Sequence, residues 1–288
     1  MSKKTTGTCV TFHQREDLTT GAAEGVQPRA IGSLMLSSKA RGALSCIDGF
    51  RTQGCMKALF PRRADGVEAI CINTSGGLTG GDRLSLSGAA GAGSRLVLTT
   101  QAAERAYRSA GGWARVETRL TVAEGARLDW LPQELILFEG ARLMRSLRAD
   151  LTGDARMLLV EPVIFGRAAM GEVLRDAGLH DRIEIWRDGA PLYCDALRME
   201  GDLAAQMARP ALGGGAGAMA CVVYVGADAE AHLAPLRAVL PETGGASLLR
   251  PDVLVARVLA EDGFALRQTL LPALDRLSGQ GLPISWRL

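Results

Sequence analysis

Paired metal-binding motifs are scarce in this sequence. Its three histidines lie far apart, and its six cysteines include no Cys-x-x-Cys pair. Structural zinc sites usually take their ligands from closely spaced pairs, so nothing here indicates one. Scattered cysteines of this kind are typical of reduced, mostly buried thiols, and we therefore expect a cytoplasmic location.

Long apolar runs are missing too. No uncharged stretch approaches the ~20 residues of a membrane-spanning helix, so no membrane partner is expected. Residues 1–28 contain Lys3 and Lys4 but no apolar core of signal-peptide length, and we expect them to form a disordered tail. The 33 basic and 31 acidic residues leave a net charge of +2, which gives no electrostatic case for nucleic acid.

Signatures of common catalytic centres are also absent. The chain has no Gly-x-Ser-x-Gly elbow and no His-Glu-x-x-His helix. The glycine-rich residues 73–82 lack the Lys-Ser/Thr of a phosphate-binding loop and end on Asp82, an anion where phosphate would sit. We therefore interpret residues 73–82 as a structural turn between two strands.

The residues that are present favour a β-rich globular fold. Hydrophobic residues make up 47% of the 288-residue chain, enough for a sizeable core in one large domain or two. Apolar and polar residues alternate through much of residues 84–163, with turn signals at short intervals. Three similar phrases of the form Gly-x-Arg-Leu, beginning at Gly93, Gly125 and Gly140, each open a predicted strand. This pattern predicts stacked sheets arranged as a sandwich, a barrel or a β-solenoid.

Several shorter segments carry their own signals. Residues 30–36 and 54–60 are predicted to be strands, separated by glycine-containing and polar turns. Residues 101–109 allow either one or two helical turns or a bulged strand, and the sequence leaves that choice open. The pair Asp188-Gly189 predicts a hairpin between strands at residues 182–186 and 192–193.

The C-terminal part of the chain has a different pattern. After a glycine-rich run at residues 213–217, strands at 218–225 and 253–259 alternate with amphipathic helices at 228–240 and 264–277. Asp228 is the expected N-cap of the first helix, and Pro272 is expected to disturb the second. We predict a mainly β fold of stacked, sandwich-like or solenoid-like sheets, with a small α+β C-terminal part carrying two helices. The expected division is a β-rich core at 29–212 and an α+β portion at 213–288, packed together as one continuous domain.

Four acidic residues lie among apolar or glycine residues, where a buried carboxylate is costly unless it is paired. The plain explanation for each is an ion pair with an arginine, and Arg105, Arg142 and Arg167 are the expected partners. A shared polar channel is an alternative, and so is an acid/base hydrolase that uses two of the carboxylates as a pair. The four acids are Asp82, Glu134, Glu161 and Glu172.

Five segments in this order resemble the urease accessory protein UreD family, called UreH in some systems. They are Gly76-Gly-Leu-Thr-Gly-Gly-Asp82, Thr99-Thr-Gln-Ala-Ala-Glu-Arg-Ala-Tyr-Arg-Ser109, Trp130-Leu-Pro-Gln-Glu134, Gly166-Arg-Ala-Ala-Met-Gly-Glu172 and Leu282-Pro-Ile-Ser-Trp286. The match extends from about residue 31 to near the C-terminus. The motif residues that carry it besides the acids are Gly76, Gly77, Gly80, Gly81, Gln101, Tyr107, Arg108, Gly166, Arg167 and Gly171.

The resemblance implies a non-enzymatic scaffold that joins UreF-like and UreG-like partners and docks apo-urease. In that scheme the UreG-like partner holds GTP, this chain binds no cofactor tightly, and nickel passes through an internal tunnel to urease. Oxygen ligands would hold such a borderline dication weakly enough to hand it on. The resemblance maps the nickel path onto Asp82, Glu134, Glu161 and Glu172, with Asp65 or Glu68 matching a further acidic position.

Overall fold

The computed structural model describes residues 28–279 and 281–287. The predicted disordered tail lies outside the described residues, apart from Pro28. The described chain forms two stacked β-sheets, whose strands are numbered here in chain order. The seven-stranded sheet has the spatial order β14-β13-β11-β8-β5-β1-β2 and consists of β1 (Ile31–Arg41), β2 (Leu44–Gly54), β5 (Arg83–Ala90), β8 (Ala114–Val122), β11 (Arg142–Leu151), β13 (Ala177–Arg187) and β14 (Ala190–Gly201).

The second sheet has ten strands, with the main order β16-β17-β15-β12-β9-β6-β4-β3. Short strands β7 and β10 pair with each other, and β10 also pairs with β12. The strands are β3 (Met56–Leu59), β4 (Val67–Asn73), β6 (Arg95–Thr100), β7 (Glu104–Ala106), β9 (Arg127–Leu131), β10 (Leu135–Leu137), β12 (Arg156–Phe165), β15 (Ala218–Val225), β16 (Gly244–Arg250) and β17 (Val253–Ala260). The helices are α1 (Leu203–Met207), α2 (Ala229–Arg237) and α3 (Gly263–Ser278), with 3-10 turns at Ala168–Met170 and Ile284–Trp286.

The central strands follow a solenoid-like path. Apart from β7 and β10, strands β4 to β13 alternate between the two sheets, and each pairs in parallel with the equivalent strand of a neighbouring coil. The predicted fold class is therefore confirmed. The Gly-x-Arg-Leu phrases do open β6, β9 and β11, and the first residues of β6, β9 and β12 stack in register as Arg95, Arg127 and Arg156.

Two cores hold the layers together. Alternate side chains of both sheets, such as Leu86, Leu98 and Leu128, fill the space between the sheets and are buried. Each fully buried leucine contributes about 1.5–3 kcal/mol relative to an exposed one. Helices α2 and α3 cover the outer face of the ten-stranded sheet and form a second core with β15 and β17.

The two C-terminal helices are present, with two differences from expectation. The carboxylate of Asp228 makes no capping hydrogen bond to α2; it accepts hydrogen bonds from Tyr224 and Arg156 instead. Helix α3 continues through Pro272, because its buried stripe, including Leu270 and Leu274, packs on the sheet and offsets the missing backbone bond. The glycine-rich residues 213–217 form a turn between α1 and β15. The division of the chain at residue 213 into a β-rich core and an α+β portion stays a proposal.

Two strands, β2 and β16, were missed. Residues 44–54 were expected to include turns, but they form β2, an antiparallel partner of β1. Because β2 is an edge strand with mostly exposed side chains, its sequence lacks the apolar alternation that marks a strand. Residues 101–109 contain the short strand β7 and no helix, and Asp188 and Gly189, at φ 49° and 79°, form the predicted hairpin turn between β13 and β14.

Candidate functional site

A cavity of about 240 Å³ lies between the two sheets. Its walls come from both sheets and from the segment that follows β6, which includes Gln101 and Glu104. Apolar side chains make up much of the wall, and a few polar groups converge on it. A mostly apolar pocket with a few convergent polar groups is the usual form of a functional site.

One wall of the cavity carries a buried ion-paired cluster. Alternation along β11 places Arg145 on the inward face between Leu143 and Leu147, and its guanidinium pairs with Glu161 of β12 and Asp181 of β13. Glu161 is 5% exposed and accepts a 2.7 Å hydrogen bond from Trp130 Nε1.

Burial and the ion pair act in opposite directions on Glu161 and Arg145. Desolvation raises the pKa of Glu161 above its ordinary value, and the Arg145 guanidinium opposes that shift. The two carboxylates raise the pKa of Arg145, so the guanidinium stays charged. The cavity therefore contains a permanent cation beside a carboxyl group that takes up a proton more readily than usual.

A second carboxyl group in the cavity wall was missed from the sequence. Glu104 accepts hydrogen bonds of 3.1 and 3.3 Å from the Asn73 amide, and burial raises its pKa. The sequence did contain a signal for Glu104, because this residue lies in the segment at residues 99–109 that carries the family resemblance. Arg145 and Asp181 were missed as well, although the leucines that flank Arg145 mark its position as inward-facing.

Asp82 has a structural role in the glycine-rich turn. Its buried carboxylate accepts backbone hydrogen bonds from Ala30 (2.8 Å) and Thr79 (2.7 Å). A Cβ at Gly80 would lie 1.9 Å from Ser109 Oγ, so only glycine fits there. Residues 74–82 do connect β4 to β5, which agrees with the interpretation as a turn.

Glu134 and Glu172 pair with arginines and do not line the internal cavity. Glu134 pairs with Arg267 of α3 at 2.7 Å, and Arg267 also donates to the backbone carbonyls of Ser285 and Trp286. Glu172 pairs with Arg167 at 2.9 Å, and this hydrogen bond lowers the pKa of Glu172.

The loop around Glu172 borders a surface pocket of about 500 Å³. The Arg167 guanidinium lies 4.3 Å from the Phe138 ring centroid, and Tyr107 packs edge-on against the same ring. Arg108 also lines this pocket, and positive φ angles at Gly166 (81°) and Gly171 (65°) shape the loop. These family-motif residues thus form one aromatic and cationic surface feature.

Asp65 and Glu68 belong to a charged network beneath the C-terminal end of α3. Arg63 pairs with both acids, and Arg95 pairs with Asp65 at 2.6 Å. Arg95 and Arg127 share the carboxylate of Asp129, which is 1% exposed. Arg95 donates to the carbonyl of Ser278 and Arg127 to that of Leu277, so the two arginines provide hydrogen-bond partners for the last carbonyl groups of α3.

Among the predicted acids, Glu161 alone lines the internal cavity. Of the expected arginine partners, Arg167 does pair with one of the four acids, whereas Arg142 pairs with Asp176 and Arg105 lies at the cavity wall. Within residues 28–279 and 281–287, no group of three His, Cys, Asp or Glu side chains is arranged to hold a metal ion. The predicted nickel path through six acids is untested and stays a prediction.

Comparison with known proteins gives a consistent result. The profile of the UreD urease accessory protein family matches residues 30–285. A urease accessory protein UreD from Roseobacter denitrificans is 52% identical over 263 residues, covering 91% of this chain and 96% of the relative. Relatives of the same name from Ruegeria pomeroyi and Chelativorans sp. are 51% and 45% identical, covering 88% and 93% of this chain and 99% and 97% of their own lengths.

These matches extend over nearly the whole chain and place this two-sheet β-solenoid among the urease accessory proteins. The chain belongs to the UreD urease accessory protein family, and this supports a role in urease maturation. None of the helices in the described part of the chain is long and apolar enough to cross a membrane.

Proposed function

We propose that this protein is a non-catalytic urease maturation factor of the cytoplasm. It binds apo-urease together with UreF-like and UreG-like accessory proteins and helps to deliver nickel to the urease active site. GTP belongs to the UreG-like partner in this scheme, and nickel is cargo that this chain does not retain. Family membership supports the role in maturation, and the acid-lined internal cavity is the observation that supports passage of the ion.

The chemistry of the cavity suits a site of transit. Glu104 and Glu161 offer carboxylate oxygens, which bind a borderline dication more weakly than thiolates do. Burial raises the pKa of the Cys71 thiol in the same wall to about 12, so in the metal-free protein this side chain is a protonated thiol and a weaker ligand than a thiolate. The Arg145 cation competes with nickel for Glu161, which further shortens the residence of the ion.

The proposal is tested by co-expressing tagged protein with apo-urease and the two accessory proteins. Complex assembly is measured by pull-down, and nickel-dependent urease activity is measured in the same lysates. We expect Glu161→Gln and Glu104→Gln to leave assembly intact and to lower urease activation. Glu242→Gln, which changes an exposed acid outside both the cavity and the predicted nickel path, is the control and should activate normally. Full activation by the Glu161→Gln/Glu104→Gln double variant would exclude transit through this cavity.

An acid/base hydrolase is the second candidate, because two carboxyl groups with raised pKa values, Glu104 and Glu161, line one cavity. The ion pair between Glu161 and Arg145 counts against it, since it occupies the carboxylate that would act as base. Chromogenic esters and glycosides provide the test. Turnover that disappears in Glu161→Gln would establish the hydrolase; no turnover by the purified chain, with activation of urease in the co-expression assay, favours the scaffold.

A further inference from the structure

The outer face of the seven-stranded sheet differs from that of its partner sheet, because α2 and α3 pack on the ten-stranded sheet. Outward side chains of β5, β8 and β11 are exposed or half-exposed. Six neighbouring strands present one row of aligned residues across this face. The row runs Ile31, Arg83, Arg115, Met144, His180 and Arg198.

Arg83 and Arg115 are adjacent in this row, on parallel strands about 4.8 Å apart. Both are exposed, and within the described part of the chain neither guanidinium has an ion pair or a hydrogen bond. Like charges placed directly side by side on a sheet destabilise it. The fold therefore keeps two unneutralised cations together at its surface.

A groove of about 340 Å³ continues from these two arginines along the row. Arg115, His180 and Arg198 line it, with Met144 in the same wall. His180 and Arg198 share the carboxylate of Glu200. Glu200 therefore offsets the charge of His180 and Arg198. The unpaired positive charge that a ligand would meet lies mainly at Arg115 and the adjacent Arg83.

The composition of this face fits a protein partner. Ile31 and Met35, 41% and 36% exposed, lie beside the arginines on the same side of the sheet. Exposed Arg and Met, in place of Lys, are typical of protein interfaces. The six strands are 8 to 12 residues long and about 4.8 Å apart, which gives a face of roughly 800 Å², similar to the ~800 Å² that each partner buries in a standard interface.

A nucleic acid fits this face less well. The carboxylates of Glu117, Glu184 and Glu200 are interspersed among its cations and would repel a continuous phosphate backbone. A folded protein can place its own cations opposite these carboxylates and its acids opposite the arginines.

We propose that the outer face of the seven-stranded sheet docks an acidic surface of a protein partner, whose carboxylates pair with Arg83 and Arg115. This inference rests on the proposed function, since the partner is one of the proteins of the maturation complex. It is independent of the route that nickel takes, because Arg83 and Arg115 do not line the internal cavity.

The test is a quantitative pull-down of apo-urease and the two accessory proteins by the full chain at low and high salt. For Arg83→Glu/Arg115→Glu we expect affinity for one partner to fall about 10- to 100-fold at low salt, with the difference shrinking at high salt. The matched control is Arg62→Glu/Arg276→Glu, which makes the same charge change at two exposed arginines without ion pairs in the described residues. This control should bind like the unmodified chain.

The milder Arg83→Ser/Arg115→Ser variant and a thermal melt of each protein separate lost binding from lost folding. Partner binding by Arg83→Glu/Arg115→Glu equal to that of the control would overturn the inference. Loss only of binding to a labelled RNA oligonucleotide, with every protein partner retained, would also overturn it. If the unmodified chain captured no partner, the proposed function itself would fail, which is a different outcome from failure of the arginine variant alone.

Discussion

Two arginine ladders at the starts of neighbouring strands can be compared directly. In the ten-stranded sheet, Arg95 and Arg127 stack in register, share the buried carboxylate of Asp129 and donate to carbonyls at the end of α3. In the seven-stranded sheet, Arg83 and Arg115 stack in the same way but have neither acid nor helix over them in the described structure. A pair of arginines in register thus contributes to internal stability in one sheet and leaves a charged surface on the other.

The largest loss of stability is expected from removing Asp129, the acid shared by Arg95 and Arg127, which we call the covered ladder; Arg83 and Arg115 are the exposed ladder. Asp129→Ala leaves the largely buried Arg95 and Arg127 guanidinium groups without their common carboxylate, and we expect a loss of about 3–5 kcal/mol in the free energy of unfolding. Urea denaturation measures it. Asp150→Ala, which removes an exposed partner of Arg148, is the control and should cost less than about 1 kcal/mol. Equal losses in the two variants would contradict the structural role of the covered ladder.

The buried acid Glu161 of the cavity predicts a dependence of stability on pH. Because burial raises the pKa of Glu161, the folded protein holds its proton to higher pH than the unfolded chain does. This contribution to stability is complete below the ordinary glutamate pKa of 4.5 and is lost as pH rises through the higher folded-state value.

The measurement is the free energy of unfolding as a function of pH from 4.5 upwards. Glu161→Gln should flatten the part of the fall that Glu161 causes, whereas Glu172→Gln should leave that part in place because the pKa of Glu172 is lowered. A Glu161→Gln profile parallel to that of the unmodified protein would show that Glu161 does not titrate in this way.

The two ends of α3 offer a smaller test. The N-terminal end is capped by Asp262, whose side chain accepts a 2.8 Å hydrogen bond from the Ala265 N–H. We expect Asp262→Ala to cost about 1 kcal/mol of stability, less than the loss of Asp129 at the other end. Asp262→Asn preserves a capping acceptor and should recover most of the difference in thermal or urea denaturation. A larger loss at Asp262 than at Asp129 would reverse our ranking of the two helix ends.

The smallest effect is expected at the exposed ladder. Arg83→Ser removes one of two adjacent like charges, so its effect on stability should lie within about 0.5 kcal/mol and tend towards stabilisation. Arg127→Ser removes an arginine from the covered ladder and is the counterpart. Destabilisation by Arg83→Ser comparable to that of Arg127→Ser would mean that the exposed ladder has an internal structural role after all.

Local sequence patterns predicted much of the fold. The Gly-x-Arg-Leu phrases marked where strands begin, Asp188-Gly189 marked a hairpin, and apolar periodicity marked α2 and α3. Strand β2 was not predicted, because an exposed edge strand buries no regular face and so lacks apolar alternation. The assignment of strands to two sheets was equally beyond local pattern, since register is decided by pairing between residues far apart in the chain.

The candidate site was less accessible than the fold. Glu161 was found because a carboxylate stood in an apolar run, but Glu104, Arg145 and Asp181 lie on three other elements and meet Glu161 or its cavity only after the sheets stack. Sequence context also could not separate an acid that faces a cavity from one that accepts backbone hydrogen bonds, as Asp82 does. Both kinds stand among glycine and apolar neighbours.

The buried indole of Trp286 has a consequence for how the protein is made. Its Nε1 donates to the Leu131 carbonyl at 2.9 Å, and its ring is fully enclosed in the core beneath α3. Synthesis proceeds from the N-terminus, so Trp286 emerges from the ribosome after the side chains that pack against it in this core. Until then the nascent chain exposes an unfinished apolar surface, which a chaperone or a waiting partner would be well placed to cover during translation.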